Sequence, residues 1–157
     1  MDIIRIDPDR RSPELINGLL EVWETSVRAT HDFLEEKDIV FLRPFVMQGL
    51  REVPELFCAM EPGDASRPDV RPVAFLGMAE DSVEMLFVHA EARGRGIGSA
   101  LMREVLARGA RRVDVNEQNP QARGFYEHMG FKVVSRDALD SMGLPFPILH
   151  CALPEEH

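Results

Sequence analysis

Arginine and glycine alternate at Arg93-Gly94-Arg95-Gly96-Ile97-Gly98, a spacing suited to holding phosphate. The apolar run before it, Val83, Met85, Leu86, Phe87 and Val88, is too short for a helix and rich in strand formers. From Ile97 onward the spacing turns helical, with Leu101 and Val105 four residues apart. The first amides of a helix have no partner inside it, and the helix dipole favours negative charge there. Gly94, Gly96 and Gly98 would let the backbone approach an anion, and Arg93 and Arg95 add forked donors. The same residues also suit a flexible connector with solvated arginines, and alone they leave both readings open. A dinucleotide fingerprint would need glycine where Ser99 stands, and no Gly-Lys-Ser/Thr follows to make a Walker loop.

The elements that must position this loop can be read in order. Ile4 and Ile6 alternate with Arg5 and Asp7 as a first strand. Ser12-Pro13 opens a helix whose face is Leu15, Leu19, Val22, Trp23 and Val27. A second helix is expected from about Asp38 to Leu50, with Pro44 a point where it can bend. Glu55 to Met60 and Arg71 to Met78 form a long hairpin joined through Pro62-Gly63-Asp64 and Pro68. The strand from Ser82, the helix from Ile97 and a strand from Arg112 to Asn116 make a crossover that sets two strands parallel. Asn119-Pro120 starts a last helix through Phe125 and Tyr126, stopped by Gly130. Lys132 to Ser135 and Pro147 to Leu153 complete the sheet.

Composition bounds the rest. A chain of 157 residues without repeats reads as one domain, residues 1–157. Its 45% hydrophobic and 29% charged content is that of a soluble globular protein, and no apolar run approaches the roughly 20 residues of a membrane helix. The N-terminus has neither a basic start nor an apolar core, so cytoplasmic location is expected. A net charge of -9 speaks against a nucleic-acid surface. Cys58 and Cys151 lie in strand-like runs as buried, reduced thiols. His89, His128, His150 and His157 follow no metal-ligand pattern, so no metal is assigned.

Two separated motifs together resemble the GNAT superfamily of acetyl-CoA-dependent N-acetyltransferases. One is Arg93-x-x-Gly96-x-Gly98, and the other is Asn119-x-x-Ala122-x-x-Phe125-Tyr126-x-x-x-Gly130-Phe131. The order of elements from Ile3 to Leu153 also matches. The resemblance implies an α/β fold with a mixed sheet of about seven strands and about four helices, splayed between the fourth and fifth strands. It further implies that acetyl-CoA binds Leu86, Phe87, Val88, Arg93, Gly94, Arg95, Gly96, Ile97, Gly98, Ser99, Asn119, Ala122, Phe125 and Tyr126. A closer likeness, to a bacterial subgroup of that superfamily, rests on Ala29–Leu34, Val115–Asn119 and Gly143–Pro147. It implies an acceptor pocket built from Trp23, His31, Phe33, Asn116 and Phe146.

The acceptor amine must be neutral to attack a thioester. A lysine-like amine of pKa about 10.4 carries a handicap near 4.6 kcal/mol at pH 7, an α-amine only about 1 kcal/mol, so a general base matters most for lysine. Glu84 is the expected base, because period-two alternation puts it on one face of its strand with Leu86. His31 is the second candidate. The resemblance gives Tyr126 the role of general acid near the coenzyme sulfur, and a main-chain N–H near Leu86 or Phe87 that of oxyanion donor. Asp32, Glu35 and Glu36 read as solvated surface. Acyl transfer is expected by direct attack in a ternary complex, with a small-molecule or peptide amine as partner, no membrane, and a monomer or homodimer. The alternative is a noncatalytic acyl-CoA-binding or sensing domain.

Overall fold

The computed structural model describes residues 1–63, 65 and 70–154, so the expected turn residues Asp64 and Pro68, and His157, lie outside the described residues. In chain order the elements are β1 (Asp2–Arg5), α1 (Pro13–Thr30), α2 (Glu36–Glu52), β2 (Glu55–Glu61), β3 (Arg71–Ala79), β4 (Ser82–Val88), α3 (Ile97–Ala107), β5 (Arg112–Asn116), α4 (Pro120–His128), β6 (Lys132–Asp137) and β7 (Ile148–Ala152). Short 3-10 turns lie at Pro8–Arg10 and Ala90–Ala92.

Local chemistry sets the helix ends. Ser12 Oγ accepts from Leu15 N at 3.2 Å to start α1. Asp38 Oδ2 accepts from Glu35 N at 2.9 Å, which starts α2 at Glu36, ahead of the expected Asp38. Pro44 lies inside α2 without ending it, and buried Ile39 and Leu50 anchor the helix on either side of the missing hydrogen bond. Asn119 Oδ1 accepts from Ala122 N at 3.1 Å to open α4. Gly130, at φ 102°, closes it. Glu36 pairs with Arg28 and Glu35 with Lys37 on the exposed surface, as expected of that charge cluster.

The seven strands form one sheet in the order β1-β2-β3-β4-β5-β7-β6. Its pairs are antiparallel except β4 with β5, which are parallel and meet only at Ser82↔Arg112 and Val83↔Val113. This is the splay that the resemblance implies. One apolar layer, with Leu101, Val105, Val113, Val115 and Phe131, fills the side of α3 and α4. The other, with Leu19, Trp23, Leu50, Cys58 and Phe75, fills the side of α1 and α2. Each fully buried side chain of this size contributes about 1.5–3 kcal/mol of burial free energy.

Trp23 corrects an expectation. It is 3% exposed within the second layer and does not reach the cavity at the splay, because the apolar face of α1 turns it onto the sheet. Both cysteines are buried and free. Among the described residues no helix is long and apolar enough to cross a membrane.

Candidate active site

Two strands that start side by side and then part make the site. Beyond Val83 no β5 residue pairs with β4, while β5 stays paired with β7 along its other edge from Arg112 to Asn116. Main-chain groups that β4 turns toward β5 are left for another partner. The gap opens a cavity of about 1150 Å³, walled on one side by Leu86, Phe87 and Val88 and on the other by Asn116, Asn119 and Tyr126.

The glycine loop closes one end. Gly94 and Gly96 have φ of 79° and 77°, a left-handed conformation that costs a residue with a Cβ roughly 1–2 kcal/mol. A Cβ built at either would meet nothing within 4 Å, so backbone conformation demands glycine and the space in front is open. Gly96 is the N-cap of α3, and no side chain caps that helix. The first amides of α3 are therefore free for an anion, and Ile97, Gly98 and Ser99 line the cavity. Gly98 is less constrained, since a Cβ there would lie 3.7 Å from both Phe125 Cζ and Val88 Cγ2, in ordinary van der Waals contact. Arg93 lines the cavity and donates to Gln121 Oε1 at 2.5 Å. Arg95 is turned to Glu61 Oε1 at 3.1 Å, so the structure brings only one of the two arginines to the cavity.

Tyr126, one turn along α4 from Ala122, is 7% exposed. Its ring packs edge-on against Phe125 and Phe131, with centroids 5.1 and 5.9 Å away. It lines the cavity, and among the described residues no buried side-chain nitrogen or oxygen lacks a partner. As no group among the described residues bonds the Tyr126 hydroxyl, that hydroxyl opens into the cavity. Burial pushes the phenol above the usual tyrosine range and keeps it neutral.

His31 caps the end of α1 and also lines the cavity. Its Nδ1 lies 2.7 Å from Thr30 Oγ1, and its Nε2 lies 3.3 Å from Asn119 Nδ2. Burial lowers its pKa to about 4, against a weaker raising effect of Asp32. Both ring nitrogens face protein partners, and burial disfavours the charged form of the ring. Phe33 stacks on His31 at 5.3 Å and Phe146 on Phe33 at 5.9 Å, so the loops before α2 and before β7 meet beside the cavity.

Glu84 departs from the expected alternation. Gly77 pairs with Met85 and Met78 with Val83, so Glu84 is the unpaired residue of a β-bulge. Val83 and Leu86 therefore pack on the same layer, and Glu84 turns into the cavity. Burial first, then the neighbouring Asp114, hold its pKa above the ordinary carboxylate value. Asp114 in turn lies 2.7 Å from His150 Nδ1, and Asp137 lies 2.6 Å from His150 Nε2. Hydrogen bonds to Asp137 and then Asp114 raise the pKa of His150. All four residues line the cavity.

Asp114, Asp137 and His150 were not singled out from the sequence. The available signal was Asp114 standing between Val113 and Val115, a polar side chain opposite the core. Among the described residues no group of His, Cys, Asp and Glu is arranged to hold a metal.

The arrangement fits an elongated ligand with phosphates at the α3 amides and an amide-bearing arm along the free edge of β4, meeting a cation from the carboxylate end. Residues 65–133 match the family model described as an acetyltransferase (GNAT) domain. Peptidyl-lysine N-acetyltransferase YjaB of Salmonella typhimurium is 38% identical over 137 residues, 87% of this chain and 90% of that protein. The protein of the same name from Escherichia coli is 37% identical over 135 residues, 85% of this chain and 87% of that one. The solution structure of apo-form YjaB from Escherichia coli superposes with a TM-score of 0.79 at 33% identity, covering 99% of this chain and 100% of that one.

Proposed function

The chain belongs to the GNAT acetyltransferases, which use acetyl-CoA, and on that premise we propose that it acetylates a lysine-type ε-amine by direct attack in a ternary complex. The observation that carries this reading is the polarity of one continuous cavity. Free α3 amides and Arg93 stand at one end, and at the other stand Glu84 and the pair Asp114 and Asp137, two carboxylates that share the one His150 ring. The first end suits a pyrophosphate and the second an ammonium. The relatives named peptidyl-lysine N-acetyltransferase point to the same acceptor class.

Bound acetyl-CoA supplies a thioester whose carbonyl carbon takes the amine and whose sulfur leaves. Ile97, Gly98 and Ser99 offer their amides to its phosphates, with Arg93 beside them. Leu86, Phe87 and Val88 present main-chain groups to its arm, and Asn119, Ala122 and Phe125 form the opposite wall. Glu84 takes the proton from the incoming ammonium, and its raised pKa makes it a better proton acceptor than a free glutamate. A β4 amide near Leu86 or Phe87 steadies the developing oxyanion. Tyr126 donates its hydroxyl hydrogen toward the departing sulfur. Asn116, His31, Phe33 and Phe146 shape the acceptor side. Burial pushes the Cys58 thiol up to about 12 and also raises Cys151, which favours direct transfer over an acyl-cysteine route.

The test offers two peptides with acetyl-CoA: one with a blocked N-terminus and one lysine, the other with a free α-amine and no lysine. Mass detection should find the acetyl group on the lysine peptide. Acetylation of the α-amine alone would overturn the acceptor class. Tight acetyl-CoA binding with no acetylated product across a broad amine panel would favour the noncatalytic reading.

A further inference from the structure

One chain of hydrogen bonds links the end of α1 to the start of α4 and fixes which of its groups donate and which accept. Asn119 Oδ1 accepts from Ala122 N, so its Nδ2 is the end that faces His31. An amide nitrogen only donates, hence His31 Nε2 accepts and carries no proton. His31 Nδ1 then holds the ring hydrogen and donates to Thr30 Oγ1, whose own hydrogen goes to Ser26 O at 2.8 Å. Asn119 is 5% exposed, and the contact joins two cavity-lining residues that are far apart in sequence.

We infer that His31 is a positioning residue that acts through the Asn119 amide on α4, and so on Tyr126, and does so only while its Nε2 is unprotonated. A proton on Nε2 sets N–H against N–H. Turning the Asn119 amide would restore that contact but would take Oδ1 away from Ala122 N and uncap α4. Either way one bond is lost at the helix that presents the Tyr126 hydroxyl. Phe33 at 5.3 Å and Phe87 at 6.4 Å flank the ring, and Asp32 is the charged group that acts on it among the described residues. Few groups nearby stabilise an imidazolium, so the chain of bonds holds at neutral pH. The inference rests on the reading of Tyr126 as the donor to sulfur, but its structural half can be tested without turnover.

Two variants separate the roles. Asn119→Asp keeps an acceptor for Ala122 N and offers a carboxylate oxygen to a protonated Nε2, so donor no longer meets donor. His31→Gln keeps an acceptor for Asn119 Nδ2 but cannot titrate. Ring-proton NMR on the whole protein should place the His31 midpoint near 4 in wild type and about 1 to 3 pH units higher in Asn119→Asp. Corrected for intrinsic rates, Ala122 amide protection should fall about tenfold as wild-type His31 takes its proton, and should not fall in Asn119→Asp. Ala122 protection in His31→Gln should stay level over the same pH range, and the pH dependence of its turnover should keep the wild-type shape. A wild-type midpoint near the ordinary histidine value, equal midpoints in both proteins, or Ala122 protection indifferent to the titration would overturn the inference. A large loss in His31→Gln that recovers at high pH would make His31 the base and overturn it as well. If Tyr126 proves not to matter for turnover, the NMR and exchange results still stand or fall alone.

Discussion

Tyr126→Phe removes one oxygen from a packed ring, and the structure sets what that should cost. The ring lies between Phe125 and Phe131, and both contacts survive the change. Among the described residues no group bonds the hydroxyl, so no donor or acceptor is orphaned and the melting temperature should hold within a degree or two, for roughly 0.5 kcal/mol or less. A coenzyme thiolate resembles a cysteine thiolate of pKa about 8.5, whereas tyrosine is near 10, so full proton transfer is uphill by about 2 kcal/mol. Burial raises the phenol further and makes a donated hydrogen bond the dominant contribution. In a site shielded from water such a bond contributes about 2 to 3 kcal/mol to the barrier, a rate factor of about 30 to 150. The assay is coenzyme A release with a lysine peptide under conditions where chemistry limits the rate, paired with calorimetric acetyl-CoA binding. Turnover should fall by that factor with affinity nearly preserved. Wild-type turnover in the variant would refute the reasoning.

Glu84→Gln should lower turnover at pH 7 by about a hundredfold, leave acetyl-CoA affinity nearly unchanged and recover part of the loss as pH rises; a pH–rate profile identical to wild type would remove Glu84 from the chemistry. Gly96→Val forces a β-branched residue to a φ of 77° at the N-cap of α3, and should weaken acetyl-CoA binding by more than about tenfold. Calorimetry finding equal affinity would move the phosphates elsewhere. His31 gives a pH signature in stability: its pKa is depressed in the fold, so its contribution is present above the unfolded value of about 6.5 and is lost as pH falls toward 4. Urea unfolding at pH 7 and pH 4.5 should show up to about 3 kcal/mol more loss in wild type than in His31→Gln. His150, raised by Asp137 and Asp114, acts in the opposite sense but is common to both proteins and cancels. Equal losses would mean that His31 is protonated as readily in the fold as outside it.

The parts of the site built from neighbours along the chain are legible in the sequence. Gly96 before Ile97 marks a helix start with open amides, and Asn119-Pro120 and Gly130 bracket α4 by their own capping chemistry. The parallel pairing of β4 with β5 follows from the intervening helix. What depends on pairing between distant strands is not legible. The bulge that turns Glu84 into the cavity arises from the register of β3 against β4, which alternation along β4 cannot reveal. The Asp114–His150–Asp137 array exists because β7 inserts between β5 and β6, and strand order leaves no local trace. Trp23 shows the converse, since its apolar spacing along α1 places it correctly in the core and only the family resemblance drew it toward the acceptor.

In the proposed reaction, coenzyme and lysine meet from opposite ends of one cavity. A conjugate in which a peptide's lysine nitrogen is joined to the sulfur of coenzyme A through an acetyl bridge spans both ends, and its affinity measures whether they are continuous. Calorimetry should show it binding at least about a hundredfold more tightly than coenzyme A alone. That gain should shrink in a variant carrying Asp114→Asn and Asp137→Asn, which removes charge from the acceptor end. A conjugate that binds no better than coenzyme A, or no better than one linked through a peptide α-amine, would contradict a lysine site at the far end of the coenzyme's cavity.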